Sequence, residues 1–172
     1  MYGPGGEVLY SIERAASALF GIVTYGVHLS AFVRDPTASY GIKLWIPRRA
    51  KSKQTYGGML DNTVAGGMAT GEEPLECVIR EAEEEASLPA EIVRRSVKAA
   101  GTITYILLRD KKAGGETGLV QPECQYVYEL ELPKDIIPKP CDGEVEVYTT
   151  PSPFPFQFPT KEQNQASNQP SK

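Results

Sequence analysis

Residues Gly66 to Leu88, GGMATGEEPLECVIREAEEEASL, join a glycine-rich segment to a run of strong helix formers. From Pro74 to Ala86 most residues favour a helix, and proline suits a first helical turn. At roughly 100° per residue, the apolar side chains of this run share one side of the helix: Leu75, Val78, Ile79, Ala82 and Ala86. We therefore predict an amphipathic helix over 74–86, entered through a glycine turn that begins at Gly66.

The remaining surface of this helix carries Glu81, Glu84 and Glu85, with Arg80 beside them. Their i, i+3, i+4 spacing crowds like charges, which destabilises a bare helix. A bound divalent cation would remove the conflict, and carboxylate oxygens are the ligands that Mg²⁺ prefers. The pattern therefore predicts a metal site; the alternative is the solvated acidic face of an ordinary amphipathic helix.

The spacing of the charged residues resembles a known family pattern. Gly66, five residues, Glu72, seven residues and then Arg80 to Leu88 (REAEEEASL) are similar to the Nudix box, G-x5-E-x7-R-E-U-x-E-E-x-G-U, in which U is apolar. Every charged position matches. The departure is Ser87, where the family usually has glycine, and we expect serine to end the helix there. The resemblance implies an α/β fold, the Nudix α/β/α sandwich with a mixed sheet.

The same resemblance implies roles for the residues of the box. It makes Glu81, Arg80 and Glu84 catalytic, with Glu81 as the candidate base. It makes Glu81, Glu84, Glu85 and the Gly66 carbonyl the ligands of Mg²⁺, with Mn²⁺ as the alternative ion. The base varies within the family, and three glutamates outside the box remain candidates: Glu123, Glu144 and Glu146.

A basic segment ahead of the box contains candidate substrate residues. Arg48, Arg49 and Lys53 are candidates for holding a diphosphate, and the alternative is a solvated loop. Trp45 and Tyr56 are candidate aromatic walls for a flat ring. Because Trp45 lies within an apolar strand, a core role is favoured for it over ring stacking.

Five stretches beyond the helix resemble one subfamily, the thiamine pyrophosphokinase-related Nudix hydrolases of fungi and plants: residues 20–28, 44–49, 53–56, 60–67 and 142–146. The resemblance implies hydrolysis of an organic diphosphate, chiefly oxidised or damaged thiamine diphosphate, to the monophosphate plus phosphate. Two alternatives stay open: a pyrophosphatase acting on ADP-ribose or NADH, and an inactive binding module. Members usually continue past 142–146 into a strand and a closing helix, so we expect a chain truncated at its C-terminus.

The hydrophobic patterns predict three regions: an N-terminal helix or linker over 1–20, a Nudix domain over 21–148 and a disordered proline-rich tail over 149–172. They predict helices over 7–20 and 89–98, a hairpin-like turn over 111–118, and strands over 22–34, 42–47, 102–109, 125–132 and 142–148. A kink is predicted in the first strand near Gly26. The strands over 102–109 and 125–132 are expected to pair with each other.

Composition narrows the function classes. The chain has 172 residues, a net charge of −4 and three cysteines that form no CxxC pair. We therefore expect a cytoplasmic protein with reduced thiols. The acidic balance disfavours non-specific nucleic-acid binding, and no apolar run has membrane-spanning length. The expected partner is a small-molecule diphosphate, and the oligomeric state stays open.

Overall fold

The computed structural model describes residues 3–38 and 40–150, and these residues form an α/β domain. A 3₁₀ segment, Arg14–Phe20, precedes the first strand, and another, Lys111–Ala113, links two long strands. The strands are β1 Thr24–Arg34, β2 Ile42–Leu44, β3 Ile46–Arg49, β4 Val64–Gly67, β5 Lys98–Leu108, β6 Val120–Glu131 and β7 Val145–Thr149, and the helices are α1 Pro74–Ala86 and α2 Ala90–Ser96.

Strand β1 is the centre of the main sheet. It pairs antiparallel with β2 and β4 and parallel with β6, which in turn pairs antiparallel with β5. The predicted mixed sheet and the pairing of the two long strands are therefore confirmed. Strands β3 and β7 form a separate antiparallel pair.

The two faces of the main sheet differ. Val27, Leu29 and Ala31 of β1 are fully buried and pack in one core with α1 and α2. Full burial of a valine or leucine side chain contributes roughly 1.5–3 kcal/mol. We call this side the helix face. Successive side chains of a strand alternate, so Gly26 and His28 belong to the opposite side, the outer face.

Helix α1 begins and ends as its sequence predicts. Pro74 occupies the first turn, and Ser87 follows the last with a left-handed φ of 52°. The Ser87 N–H donates to the Glu83 carbonyl at 3.2 Å, and the Leu88 N–H donates to the Ala82 carbonyl at 3.0 Å. Leu88 is fully buried, so the turn is closed by hydrogen bonds and apolar packing together.

The predicted helix over 7–20 is wrong in its first half. Only Arg14–Phe20 is helical, as a 3₁₀ segment, and it ends at Gly21 with a φ of 61°. Val8 and Leu9 are 50% and 57% exposed, so these apolar side chains do not pack against the domain. A short helix without such packing is not stable.

The predicted strand over 42–47 is interrupted at Trp45. The Trp45 N–H donates to the Ala31 carbonyl at 2.9 Å, and its carbonyl accepts from the Thr63 hydroxyl at 2.6 Å. The chain thereby leaves the main sheet after β2 and enters the β3–β7 pair. Trp45 packs against the hydrophobic core, as the strand context favours.

The predicted kink at Gly26 is absent, because the register between β1 and β6 runs without a shift from Thr24 to Phe32. A Cβ on Gly26 would overlap the Gln125 side chain and lie 2.7 Å from the Gly66 carbonyl. Glycine therefore serves close approach here, not bending.

Five other expectations shift in extent, and one is confirmed. Gly66 and Gly67 belong to β4, so the turn starts after them. Leu75 is 38% exposed and does not belong to the buried side of α1. The strands over 102–109 and 125–132 each start earlier, as β5 and β6, and the strand over 142–148 starts later, as β7. The short second helix is confirmed as α2.

The proline-rich tail lies outside the described residues except for Thr149, which ends β7, and Thr150. Its predicted disorder, and the division into three regions, stay predictions. Within the described residues, no helix combines the length and the apolar character needed to cross a membrane.

Candidate active site

Three carboxylates converge where α1 meets the start of β7. Glu85, Asp142 and Glu144 each offer an oxygen, and these oxygens lie within 4.8 Å of one another. Glu85 is only 9% exposed, and its Oε2 accepts a hydrogen bond from the Ala65 N–H at 3.1 Å. We call these three residues the carboxylate cluster.

The three carboxylates of the cluster are paired with fewer positive charges than they carry negative ones, among the described residues. Burial raises the pKa of Glu85 to about 8; the Ala65 N–H opposes this rise, and the charges of Glu81, Glu144 and Asp142 add to it. The compensating cation is Lys53, whose Nζ lies 2.5 Å from Glu144. Converging carboxylate oxygens suit a hard divalent cation such as Mg²⁺. The residues present therefore fit the predicted metal.

A second group of carboxylates is gathered by Arg80. Its Nε and Nη2 donate to the two oxygens of Glu72 at 2.9 and 3.2 Å, and its Nη1 donates to Glu81 and to Glu84 at 2.9 Å each. These bonds hold the pKa of Glu72 below its usual range. Arg80 thus relieves the charge crowding for which the sequence predicts a cation.

Glu81 lies between the two groups. Its pKa is raised, chiefly by burial, and the charges of Glu84 and Glu144 act in the same direction against Arg80. A Cβ on Gly66 would overlap the Glu81 carboxylate, so a glycine in β4 is what lets this helix side chain reach the sheet.

The Gly66 carbonyl is oriented by the sheet. The Met68 N–H donates to the Tyr25 carbonyl at 3.0 Å, and Gly66 lies opposite Val27 in the same antiparallel register. Hydrogen-bonded pairs alternate along such a ladder, so the Gly66 carbonyl points toward β1. Its place among the metal ligands stays a prediction.

A narrow cleft adjoins the cluster. Its lining residues come from β3, β4, α1, β7 and their connections: Pro47, Arg49, Asp61, Asn62, Ala65, Glu85, Glu144 and Val145. Arg49 and Lys53 belong to a separate basic segment of the sequence. The structure brings both of them next to the acidic residues of the site.

The remaining predicted substrate residues are held in other ways. Arg49 is paired with Asp61 at 2.6 Å and also donates to Thr55, whereas Arg48 is exposed and donates to the Gly58 carbonyl at 2.7 Å. Tyr56 and Trp45 do not line this cleft: Tyr56 lies in a turn with a φ of 50°, and Trp45 packs on the core.

Sequence reasoning missed Asp142 as a ligand candidate and named Glu144 only as a possible base. Asp142 accepts a hydrogen bond from the Glu144 N–H at 2.8 Å, a turn that aims both carboxylates to one side. The acidic turn before a β-branched strand, DGEVEV at 142–147, was the available signal. Its pairing with Glu85 depends on the fold, so spacing could not reveal it.

The fold and the site define an α/β domain in which a glutamate-rich helix packs on a mixed sheet beside a cluster of carboxylates that fits a divalent cation. The family described as NUDIX domain matches residues 24–166, and the chain belongs to this family.

The relatives agree with this assignment. An uncharacterised protein of Saccharomyces cerevisiae is 42% identical over 141 residues, which are 80% of this chain and 41% of that protein. Nudix hydrolase 20, chloroplastic, of Arabidopsis thaliana is 41% identical over 146 residues, which are 82% of this chain and 35% of that protein. The chain thus spans well under half the length of these relatives.

Among solved structures, DR0079 from Deinococcus radiodurans superposes with a TM-score of 0.57. It is 25% identical, and the superposition covers 86% of this chain and 78% of that one. The predicted Nudix fold class is therefore confirmed.

Proposed function

We propose that this chain hydrolyses an organic diphosphate in the presence of Mg²⁺, with Mn²⁺ as a substitute. The convergence of Glu85, Asp142 and Glu144 next to Glu81 carries the proposal. A divalent cation held there would neutralise charge on the phosphates and lower the pKa of a bound water. Membership of the Nudix family and the similarity to a plant Nudix hydrolase support the same reaction class.

The residues of the chain have different proposed roles in this reaction. Glu85, Asp142 and Glu144 supply most of the metal ligands, and Glu84 and the Gly66 carbonyl are the further candidates. Glu81 is the proposed base, because burial raises its pKa toward the range in which a carboxylate accepts a proton effectively. Arg80 fixes the orientation of Glu81 through a 2.9 Å hydrogen bond.

Lys53 is the proposed first contact of the diphosphate. Its ammonium group forms an ion pair with Glu144. A cation bound by Glu144 would compete for that carboxylate, so the ammonium group could contact a phosphate oxygen instead. Arg49 borders the same cleft but is committed to Asp61, so its role is to shape the cleft. Arg48, Trp45 and Tyr56 remain candidates for more distant parts of the substrate.

The proposed substrates are oxidised or damaged forms of thiamine diphosphate, which are cleaved to the monophosphate plus phosphate. Support comes from the five stretches that resemble the thiamine pyrophosphokinase-related subfamily. The relatives come from a yeast and a plant, the groups in which that subfamily is found. The cytoplasm is the proposed compartment, although the name of the Arabidopsis relative places that protein in the chloroplast.

The test is kcat/KM on one preparation for four diphosphates: oxothiamine, oxythiamine and thiamine diphosphate, and ADP-ribose. Each is assayed with Mg²⁺, with Mn²⁺ and with a chelator. We expect the damaged forms to exceed thiamine diphosphate, ADP-ribose to be poorest, and the chelator to abolish turnover. ADP-ribose as the best substrate would refute the thiamine assignment and retain the hydrolase. Binding without turnover of any member would identify a binding module instead.

A further inference from the structure

The last turn of α1 is tied to a distant segment of the chain. The final carbonyls of an α-helix have no partner within the helix, so other groups must satisfy them. The Tyr148 hydroxyl donates to the Glu85 carbonyl at 3.2 Å. The Lys139 N–H donates to the Ala86 carbonyl at 2.9 Å, and the Lys139 carbonyl accepts from the Ser87 hydroxyl at 3.1 Å. Residues 139–148, which we call the ligand segment, therefore cap the helix at both of their ends.

The ligand segment carries two members of the carboxylate cluster. Asp142 and Glu144 lie between its two anchored ends. The third member, Glu85, belongs to the helix turn to which both ends are bound. Hydrogen bonds thus hold together the two elements that supply the cluster. Groups that are ordered in advance lose less conformational entropy when a ligand binds them, so this arrangement favours cation binding.

Tyr148 is the buried anchor of the ligand segment. It is 8% exposed, packs in the hydrophobic core and lies opposite Pro47 in the β3–β7 register. Burial raises the pKa of Tyr148, and the charges of Glu85 and Asp142 add to that rise. The hydroxyl therefore stays protonated beside the cluster and acts as a hydrogen-bond donor.

The three hydrogen bonds differ in what their loss would leave. Ser87 is exposed, so water can replace its bond, and the Lys139 donor belongs to the backbone. The bond of Tyr148 is buried, so its loss leaves the Glu85 carbonyl unsatisfied unless the backbone shifts. Such a shift would move the Glu85 carboxylate relative to the carboxylates of the ligand segment.

We propose that Tyr148 is a positioning residue of the metal site: its hydroxyl holds the ligand segment on the last turn of α1, so that Glu85 meets the other two carboxylates. The inference rests on the proposed function, because that function assigns a divalent cation to this cluster. Tyr148 acts through Glu85 and is not itself a ligand. The role belongs to the hydroxyl, since a phenylalanine ring would fill the same space in the core.

The experiment compares Tyr148→Phe with Tyr128→Phe. Tyr128 is also 8% exposed and packs in the same core, but it lies on β6, outside the ligand segment. Calorimetric titration with Mn²⁺ in the absence of substrate gives the metal affinity, and thermal unfolding without metal shows whether each variant is folded. Tyr148→Phe is expected to weaken Mn²⁺ binding about tenfold, because one buried hydrogen bond no longer orders the ligands. Tyr128→Phe is expected to leave the affinity unchanged.

Two further measurements separate positioning from a role in folding alone. Ser87→Ala removes the exposed bond at the other end of the ligand segment, and it should weaken Mn²⁺ binding by less than Tyr148→Phe does. In the hydrolysis assay, Tyr148→Phe should raise the Mn²⁺ concentration for half-maximal turnover about tenfold and change kcat less. A residue needed only for folding would lower the unfolding temperature without that shift.

Equal Mn²⁺ affinities of the wild type and Tyr148→Phe would overturn the inference, as would the same loss of affinity in Tyr128→Phe. The proposed function is judged separately. If the wild type binds Mn²⁺ but hydrolyses no diphosphate, that function fails, and a loss of about tenfold in Tyr148→Phe still supports the positioning role. If the wild type binds no Mn²⁺, the metal site on which both proposals rest is refuted.

Discussion

Helix α1 presents two groups of carboxylates that differ in how their charge is met. Glu81 and Glu84 share one guanidinium nitrogen of Arg80, each at 2.9 Å. Glu85, next along the helix, turns away from Arg80, is 9% exposed and joins Asp142 and Glu144. Neighbours in sequence thus belong to two electrostatic groups: Glu81 and Glu84 share the charge of Arg80, and Glu85 belongs to the carboxylate cluster, the candidate metal site.

Helix geometry explains the separation. Glu85 lies three residues after Ala82 and seven after Val78, so it shares the side of the helix that packs on the sheet. Ala82 and Val78 are fully buried. Glu84 is rotated by roughly 100° toward solvent, and its side chain is 54% exposed. A buried carboxylate within an apolar stripe therefore indicates the candidate metal ligand more directly than the acidic run does.

The largest expected effect comes from a substitution in the carboxylate cluster. Glu85→Gln should reduce turnover by orders of magnitude, because it removes charge at the centre of the cluster. Glu84→Gln should also reduce turnover, but by less, since Glu84 is partly neutralised already. Steady-state kinetics at saturating Mg²⁺ measure both, with the exposed Glu83→Gln as the matched control. Wild-type turnover in the Glu85 variant would remove that residue from the metal site.

A substitution in the group gathered by Arg80 should act mainly on the free energy of unfolding. Arg80→Ala leaves Glu72, Glu81 and Glu84 without their shared donor, and we expect a loss of about 1–2 kcal/mol, because the guanidinium is partly exposed and solvent screens it. Urea unfolding measures the loss, with Arg95→Ala on α2 as the control. A stability equal to that of the control would mean that solvent already satisfies these carboxylates.

The same variant should change how the free energy of unfolding depends on pH in the acidic range. Arg80 lowers the pKa of Glu72 in the folded state, so the contribution of Glu72 is fully present above its unfolded pKa and is lost as pH falls through the lower folded pKa. Arg80→Ala should therefore flatten the fall in stability below about pH 4.3. Unfolding free energies of wild type and variant at a series of acidic pH values test this, and parallel curves would contradict it.

The smallest expected effect lies at the end of the helix that carries both groups. Ser87 holds a φ of 52° and donates its hydroxyl to the Lys139 carbonyl at 3.1 Å. Ser87→Gly removes the strain of the left-handed conformation, but it loses that hydrogen bond and raises the conformational entropy of the unfolded chain. We expect the free energy of unfolding to rise by about 0.5 kcal/mol. Ser87→Ala loses the bond and keeps the strain, and should destabilise. Thermal unfolding of the two variants gives the comparison, and a glycine variant no more stable than the alanine variant would refute the strain argument.

The sequence was sufficient for features that depend on local pattern. Helix α1, its end at Ser87 and the pairing of β5 with β6 follow from periodicity, capping and alternation. The site was predictable only in part. Arg80 and the glutamates of α1 are neighbours in sequence, whereas Asp142 meets Glu85 only because β7 returns to β3. The break at Trp45 depends on hydrogen bonds to Ala31 and Thr63, which no local propensity indicates.

The β3–β7 pair also sets the order in which the molecule can assemble. The Thr149 hydroxyl donates to the Ile46 carbonyl across 103 residues of chain. Closing so long a loop costs entropy before its contacts repay it, so this pairing is expected to form late in folding. A nascent chain still lacking β7 can build α1 and the Arg80 group, but it has no second half of the carboxylate cluster. If the cluster binds a metal as proposed, binding would require the finished fold, and the ion would stabilise the folded state against opening of the β3–β7 pair.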